Sequence, residues 1–370
     1  MFRTAQNVHD GQDKFRAAAR DGIVMGFNHR VENPAPGAED FQGYSLMELG
    51  RECLRRAGQS ISGSPAEIAG RALQTSDFNA IMENVATVRV IAGFDEADET
   101  FETWTGEGSL PDFKESTLAR ASEADDLEEI TENAPYGYGD LSDKKETVQL
   151  VTFGKITAIT RQAIVNDDQR ALDLVPYNLG RAAKRKIGDA VYTVLTANGE
   201  MGDGTALFHA DHANVGTSAV IGVSPVAEAI KLMGVQTDPG GNAILNLRPH
   251  YFIGPKAIEG AAEVFFRSNQ FSDQTTLATD AYNASTRVNP YAGDYFTRAY
   301  DARLDASDTA KYYFAGPKGM TVDVFYLNGQ KKPYIEARPG WAVDGTEFKV
   351  RIDAAAKAVD WVALVSNAGG

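Results

Sequence analysis

Apolar residues between positions 44 and 93 recur at the three-to-four-residue spacing of helices. Ser45 and Ser64 are each followed three positions later by a glutamate, and this capping-box pattern predicts a helix starting just after each serine. Gly58 offers a left-handed stop to the first helix, and Pro65 suits the first position of the second. A third helix is predicted after Asp77, from the spacing of Phe78, Ile81, Met82, Val85 and Val88.

A longer amphipathic pattern lies between Asp173 and Asn198. Its apolar stripe consists of Leu179, Ala183, Ile187, Ala190, Val191, Val194 and Leu195. Charged residues fall outside that stripe, among them Arg181, Lys184, Arg185 and Asp189. The pattern predicts a helix of about 22–25 residues, roughly 35 Å long.

Two stretches lack a sustained apolar period. Residues 1–43 are polar and are broken by Pro34 and Pro36, which predicts an extended or mobile arm without a core of its own. Residues 94–145 contain an acidic run at 123–129 and are too long for an ordinary connection. Because the β-branched segment 147–160 follows them, we expect a projecting two-stranded arm here.

The C-terminal half alternates helical and strand patterns. Helices are predicted from Ser224 to about Thr237 and from Pro255 to Phe266, with a buried strand at Tyr251–Ile253 between them. Short strands separated by turn signals such as Asn328-Gly329 and Asp344-Gly345 follow at 311–314, 321–327, 348–353 and 361–365. The predicted fold class is therefore α+β.

Composition narrows the possible functions. The 370 residues carry a formal charge of −15, which disfavours broad electrostatic binding to nucleic acid without excluding the enclosure of DNA. Cys53 is a single cysteine, so no internal disulfide or multi-cysteine metal cluster is available. No apolar run is long enough to span a bilayer, and the N-terminus lacks the features of a secretory signal. We expect a soluble protein that stays in the cell that makes it.

The sharpest candidate for chemistry is the cluster His209, Asp211 and His212, three potential metal ligands within four residues. A loop whose side chains hold its own backbone is the competing interpretation, and the one we prefer. The segment Gly199–Thr205 lacks the ending of a phosphate-binding loop, and no nucleophile elbow is present. We therefore expect neither a catalytic residue, nor a metal, nor a cofactor.

The order of elements resembles the major capsid proteins of tailed bacteriophages, which have the Hong Kong 97-type fold. The segment Ala206–Val215 is similar to a stretch of Mu-like head subunits and of capsid proteins made as prohead protease fusions. Val350–Asp353 and Lys357–Trp361 resemble the last strands of the same proteins. The resemblance implies an N-terminal arm (1–43), a helical segment of the peripheral region (44–93), an extended loop (94–148), a peripheral domain with a spine helix (149–207), an axial domain (208–340) and returning peripheral strands (341–370).

The resemblance also implies partners and a location. We expect a homo-oligomer of pentamers and hexamers that forms an icosahedral shell around double-stranded DNA, without sequence-specific DNA binding and without a membrane. Scaffold, prohead protease, portal and decoration proteins are further possible partners, and the place is the virion capsid, assembled in the host bacterial cytoplasm. An encapsulin-like shell is the nearest alternative, and a metal-dependent enzyme using His209, Asp211 and His212 is the more distant one.

Candidate contact residues between subunits follow from composition. Phe101, Trp104, Leu110 and Phe113 interrupt a polar run, and exposed aromatic residues of this kind tend to anchor interfaces. The alternative is that they pack against their own domain. Lys184, Arg185 and Lys186 sit together on the predicted long helix, where contact with a phosphate and contact with a neighbouring acidic surface are the alternatives. In so acidic a protein we expect ion pairs between subunits, made by Lys184 and Arg185. On the interface hypothesis, Trp104→Ala weakens assembly and leaves subunit folding intact, whereas loss of the folded monomer places Trp104 in the core.

Overall fold

The computed structural model describes residues 4–121, 143–166, 169–238, 244–272, 286–340 and 345–370. Its helices are α1 (Thr4–Gly26), α2 (Leu46–Arg56), α3 (Pro65–Ala72), α4 (Ser76–Glu96), α5 (Arg161–Val165), α6 (Gln169–Ala197), α7 (Val223–Gly234), α8 (Glu259–Arg267) and α9 (Ala302–Asp305). Its strands are β1 (Gly106–Leu110), β2 (Ser116–Ala121), β3 (Asp143–Val148), β4 (Val151–Thr160), β5 (Tyr251–Gly254), β6 (Gln270–Ser272), β7 (Thr286–Val288), β8 (Thr297–Tyr300), β9 (Tyr312–Ala315), β10 (Val322–Leu327), β11 (Tyr334–Pro339), β12 (Gly345–Ala358) and β13 (Leu364–Asn367). The predicted α+β class is confirmed.

The chain divides into two compact units, each built from three stretches of sequence. The first unit contains residues 1–98, 152–186 and 330–353. The second contains residues 99–151, 187–329 and 354–370. None of the helices in the described ranges is both long and apolar enough to cross a lipid bilayer.

The N-terminal stretch is a helix and not the arm without a core that the sequence predicts. Phe15, Ala19 and Ile23 lie four residues apart on α1 and are buried in the core of the first unit. Gly22 lies on the same helix, where a Cβ atom would come within 2.3 Å of the carbonyl oxygen of Ala38. These buried positions form an apolar stripe that the sequence did not reveal, because alanine supplies part of it and charged residues surround it.

The two capping boxes are confirmed and begin α2 and α3. The Ser45 side chain accepts a hydrogen bond from the backbone N–H of Glu48, whose carboxylate accepts one from the backbone N–H of Ser45. Ser64 and Glu67 repeat this reciprocal pair at α3. Each box satisfies backbone donors that the first helical turn leaves unpaired, so the two helix starts are fixed locally.

The long predicted helix is confirmed as α6, and its first part packs against α4 through two glycines. A Cβ atom on Gly180 would lie 2.0 Å from the carbonyl oxygen of Val90, and one on Gly93 would lie 2.0 Å from that of Tyr177. Because neither position has room for a side chain, the two helices approach backbone to backbone. In the same unit β12 pairs with β4, and its residues 346–351 pair antiparallel with β11.

The second unit has a four-stranded sheet in the order β13-β9-β5-β8 and an aromatic core beneath it. Phe252 on β5 contacts the rings of Phe266, Tyr300, Tyr312 and Phe314 at centroid distances of 5.1–5.9 Å. A second group of strands in this unit pairs β1 parallel to β10 and β10 antiparallel to residues 354–358 of β12.

The stretch predicted as an extended loop has two different parts. Residues 99–110 end in β1 and pack into the second unit, which corrects the predicted loop start at residue 94. Strands β2 and β3 form an antiparallel pair, with Ser116 opposite Val148 and Ala121 opposite Asp143, as the predicted two-stranded arm requires. The acidic run at 123–129 lies outside the described residues.

Candidate functional site

The histidine-rich segment that follows α6 is a short 3-10 turn at Ala210–His212 in the second unit. The buried ring of His212 stacks on Trp361 with the centroids 4.1 Å apart and the planes 7° apart. His212 Nε2 lies 2.8 Å from Asp203 Oδ2, and Nδ1 lies 3.1 Å from the carbonyl oxygen of Leu207. Both partners are oxygen acceptors, so each ring nitrogen of His212 lies within hydrogen-bond distance of a neighbour in the same unit.

Asp203 accepts this hydrogen bond as a carboxylate. Partial burial raises the pKa of Asp203, but the hydrogen bonds from His212 and from the backbone of Thr205 outweigh it. The net pKa therefore lies below its ordinary value. The pair holds the glycine-rich turn at 199–204 against the histidine segment, which is a structural role for both side chains.

The three potential metal ligands do not converge. His209 and Asp211 are exposed, and His209 Nδ1 accepts a hydrogen bond from the backbone N–H of Asp211 and lies 3.3 Å from Asp211 Oδ2. His212 is turned inward and both of its ring nitrogens are engaged. Within the described ranges, no group of three or more His, Cys, Asp or Glu side chains is placed to hold a metal ion. The geometry matches the competing interpretation, a loop held by its own side chains.

Asn214 ties this segment to the C-terminal strand. Its side chain is fully buried, donates to the carbonyl oxygen of Leu207 over 2.8 Å and accepts from the backbone N–H of His209 over 3.2 Å. The Asn214 carbonyl oxygen accepts from the backbone N–H of Ser366, and Gly216 donates to the Ser366 carbonyl oxygen. The segment at 206–215 and the C-terminal residues from Trp361 onward are therefore one hydrogen-bonded cluster.

Three of the four proposed contact residues in the loop are core residues of the second unit. Phe101 is 3% exposed, Trp104 is 0% exposed and Leu110 is 6% exposed. Trp104 packs against the ring of Tyr192 at a centroid distance of 6.2 Å, and Leu110 clusters with Val148 and other apolar residues. The prediction that these three are exposed anchors is wrong, because residues 99–110 pack against their own unit.

Phe113 differs from these three, since it is 42% exposed. It therefore stays available for contact with another molecule. The side chain of Gln149 donates a hydrogen bond to the backbone carbonyl oxygen of Phe113 over 3.0 Å. The proposed role in subunit contact remains a prediction for this residue.

The two basic residues proposed for intersubunit ion pairs have different environments on α6. Lys184 is buried within the first unit, with its Nζ atom 5.7 Å from the centroid of the Phe94 ring. That position corrects its predicted role as a surface charge. Arg185, the next residue, is exposed and keeps its predicted role as a hypothesis.

A surface groove in the first unit was not predicted from the sequence. It has a volume of about 410 Å³ and lies between β4, α6 and β12. Its apolar lining comes from Leu179, Ala182, Ala183, Val350 and Ile352. Lys155, Lys186 and Arg351 also line it, and all three are exposed. The β-branched composition of β4 and the apolar stripe of α6 were visible in the sequence, but the groove was not, because it combines three segments far apart in the chain.

Comparison with known proteins gives one family match and several structural likenesses. A family model described as phage capsid protein matches residues 144–367. No curated protein sequence matches the chain. Among solved structures, a capsid of a native GTA particle is 12% identical with a TM-score of 0.49, covering 72% of this chain and 89% of that chain. A chain from Mycobacterium phage Adephagia is 10% identical with a TM-score of 0.48, covering 74% and 90%. A virus-like particle from Pyrococcus furiosus is 9% identical with a TM-score of 0.42, covering 76% and 97%.

Proposed function

Because the chain belongs to the phage capsid protein family, we propose that it is the major capsid protein, which self-assembles into the icosahedral shell around phage double-stranded DNA. The family match over residues 144–367 carries this proposal, since it runs from β3 to the last strand. The function is then self-association with defined curvature. Each contact between two subunits is weak by itself, but a closed shell is stable because all of its contacts form together.

The β2–β3 hairpin supports a role in contact between subunits. An isolated pair of strands is marginally stable in water, so a projecting hairpin gains order from surfaces outside itself. Its base is fixed: the buried Glu146 carboxylate accepts from the backbone N–H of Gly202 over 2.7 Å. A Cβ atom on Gly202 would lie 2.0 Å from the Lys145 carbonyl oxygen, so the contact requires glycine. We expect residues 111–148 to lie against a neighbouring subunit.

Exposed apolar residues of the second unit support a further contact surface. Val264 on α8 is 72% exposed and Val288 on β7 is 77% exposed. We assign residues 208–329 and 354–370 of the second unit to the axial domain, which meets its copies in pentamers and hexamers. The predicted boundary at 340 is moved because β11 lies in the first unit and β13 pairs with β9. Residues 44–93, 152–186 and 330–353 of the first unit are assigned to the peripheral region.

The charge of the chain fits enclosure of DNA. At −15 the protein repels a polyanion instead of condensing it, so packed DNA is not gripped by the wall. The protein is placed in the virion capsid, assembled in the bacterial cytoplasm, with scaffold, prohead protease, portal and decoration proteins as further partners. No sequence-specific DNA contact is proposed.

Negative-stain microscopy of the purified protein after size exclusion tests the proposal. Closed shells, or rings of five or six subunits, are expected. A homogeneous monomer or dimer under all assembly conditions contradicts it. The content of shells formed in cells separates the alternatives, because packaged nucleic acid supports a phage head and a packaged protein supports an encapsulin-like compartment.

A further inference from the structure

Two Asn-Gly dipeptides lie directly after elements of the second unit. Asn198 follows the last residue of α6 with a φ angle of 47°, and Asn328 follows the last residue of β10 with a φ angle of 50°. Asparagine enters this left-handed region more readily than most residues that carry a side chain. Because the φ angle of the asparagine does not distinguish the two dipeptides, the informative comparison is what surrounds each side chain.

The side chain of Asn198 is held at both ends of its amide. Its Nδ2 donates to the carbonyl oxygen of Phe208 over 3.2 Å, and its Oδ1 accepts from the backbone N–H of Phe208 over 2.7 Å. Phe208 is itself buried in the second unit. The carbonyl oxygen of Gly199 accepts from the backbone N–H of Leu207 over 3.0 Å. The amide group of Asn198 therefore cannot turn without breaking two hydrogen bonds to a buried segment.

The side chain of Asn328 lacks this restraint. Asn328 and Gly329 are both exposed, and no hydrogen bond holds the Asn328 side chain within the part of the chain that the structure describes. The nitrogen of Gly329 lies 3.4 Å from the carbonyl oxygen of Tyr326, which is longer than an ordinary N–H···O bond. A Cβ atom on Gly329 would meet Ser109 Oγ at 3.8 Å and nothing closer. The amide of Asn328 can therefore turn toward a weakly held and accessible backbone nitrogen.

This arrangement suits a reaction between an asparagine amide and the next backbone nitrogen. The nitrogen of Gly329 attacks Cγ of Asn328, and a five-membered succinimide ring closes. The bond from Cγ to Nδ2 breaks, and ammonia leaves with the proton that the Gly329 nitrogen loses. Water then adds to either carbonyl carbon of the ring, so that opening gives aspartate or isoaspartate. Glycine favours the attack because it has no side chain to shield its nitrogen.

We propose that Asn328-Gly329 is a site of spontaneous deamidation in the folded protein, whereas Asn198-Gly199 is protected by the bonds to Phe208. The reaction adds a negative charge to a chain whose formal charge is already −15. Isoaspartate also lengthens the backbone by one carbon atom, directly after the bond from the N–H of Asn328 to the carbonyl oxygen of Leu110 that follows the last pair of β1 and β10. The proposal concerns the single chain and does not depend on self-association.

Peptide mass spectrometry of the purified, folded protein tests the proposal. Samples are taken during a long incubation at mildly alkaline pH and digested with trypsin under mildly acidic conditions, which suppress deamidation during digestion. The two asparagines fall on different tryptic peptides, 187–231 and 319–331, and fragmentation assigns the modified residue. Conversion of amide to acid should be at least about tenfold faster at Asn328, because two hydrogen bonds must break before Asn198 reacts.

The same protein in concentrated urea is the matched control. Unfolding removes the hydrogen bonds of Asn198, so the two dipeptides should then react at similar rates. Equal rates in the folded protein would overturn the proposal, because the surroundings would then make no difference. An Asn328 that stays intact in the folded protein while both asparagines react in urea would overturn it as well, since the turn would then be protected.

The products identify the attacking atom. Opening of the succinimide gives isoaspartate together with aspartate, whereas direct hydrolysis of the amide by water gives aspartate alone. Labelling with an isoaspartyl methyltransferase should therefore mark the peptide 319–331, and Asn328→Ser should abolish the label in a protein that remains folded by circular dichroism. Aspartate without isoaspartate at position 328 would exclude attack by the nitrogen of Gly329 and overturn the proposed reaction.

Discussion

Residues 99–110 and the residues from 111 to the β2–β3 pair are neighbours in sequence with similar compositions, yet they differ in how far they are buried in the second unit. The first stretch buries Phe101, Trp104 and Leu110, whereas Phe113, three residues further on, is exposed. Both are polar stretches interrupted by apolar residues, so composition alone does not separate them. The difference is what each stretch pairs with: β1 pairs with β10, whereas among the described strands β2 and β3 pair only with each other and touch the rest of the unit at their base, through Val148 and Glu146.

Polar contacts reinforce the buried stretch. The Tyr192 hydroxyl lies 2.6 Å from that of Thr100, which in turn donates to Asp301 over 2.5 Å. Burial raises the pKa of Tyr192 to about 12, so its hydroxyl stays protonated and able to donate. Arg303 binds Glu99 and Asp189 at 2.9 and 2.7 Å. An aromatic residue in a polar stretch therefore does not by itself indicate an interface. The residues around Trp104 form hydrogen bonds within their own unit, and these hold the stretch in the core.

Among the variants that test this difference in burial, Trp104→Ala should have the largest effect on subunit stability. Removing a fully buried indole should lower the free energy of unfolding by about 3–5 kcal/mol, which would deplete the folded subunit. Urea unfolding followed by circular dichroism measures the change. Phe113→Ala is the matched control and should stay near the parent value. A stable Trp104→Ala subunit that fails to assemble would restore the interface interpretation.

Asn214→Ala should have the next largest effect, because it removes a fully buried amide that joins Leu207 and His209. We expect a loss of about 1–3 kcal/mol, since the buried hydrogen bond to the Leu207 carbonyl oxygen and the part-buried one from the backbone N–H of His209 are both lost. The same unfolding measurement applies. Asn178→Ala on the exposed surface of α6 is the control and should change stability by less than about 0.5 kcal/mol. Equal, small effects for both variants would contradict a stabilising role for Asn214 between the histidine segment and the C-terminal strand.

The elements found from the sequence are those whose determinants are local. The capping boxes place α2 and α3 to within a residue, and the apolar stripe of α6 places its C-terminal end near Asn198. β1 was missed because Gly-Glu-Gly-Ser-Leu carries no alternating apolar pattern. Its position depends on a parallel partner more than two hundred residues away, and a Cβ atom on Gly108 would lie 2.4 Å from the Phe325 ring.

The same distinction between local and long-range determinants applies to the candidate functional surfaces. The hairpin was predicted because a β-branched run and a long polar insertion are visible in the sequence. The groove could not be predicted, because its lining joins β4, α6 and β12. Burial of Lys184 was also hidden, since its contact with Phe94 depends on the packing of α6 in the first unit.

Asp323 lies on β10 opposite Gly106 of β1, and its carboxyl group is buried there. Asp323→Asn tests whether this carboxyl group contributes to the pairing of the two strands. Burial raises the pKa of Asp323, against the lowering effect of the backbone N–H groups of Gly106 and Gly319. Because this is an acid with a raised pKa, its contribution to stability is fullest below its ordinary pKa and is lost as pH rises through the raised one. Urea unfolding from about pH 4 to pH 7 should therefore show a flatter pH dependence for the variant. Parallel curves for the two proteins would show that Asp323 is not desolvated.

Phe113→Ser should have the smallest effect on the stability of the subunit. It tests most directly whether the exposed stretch after β1 serves assembly and not folding. The ring is partly exposed and Gln149 binds only the backbone of Phe113, so unfolding should change by less than about 0.5 kcal/mol. Assembly should nevertheless weaken, because an exposed aromatic side chain beside the hairpin contributes to contact only when a second molecule covers it. Light scattering across a protein concentration series measures the onset of assembly, with the exposed Ile61→Ser as a control of equal character in the first unit. An unchanged onset for Phe113→Ser would remove Phe113 from the contact surface and leave the hairpin strands themselves as the region that neighbouring subunits bind.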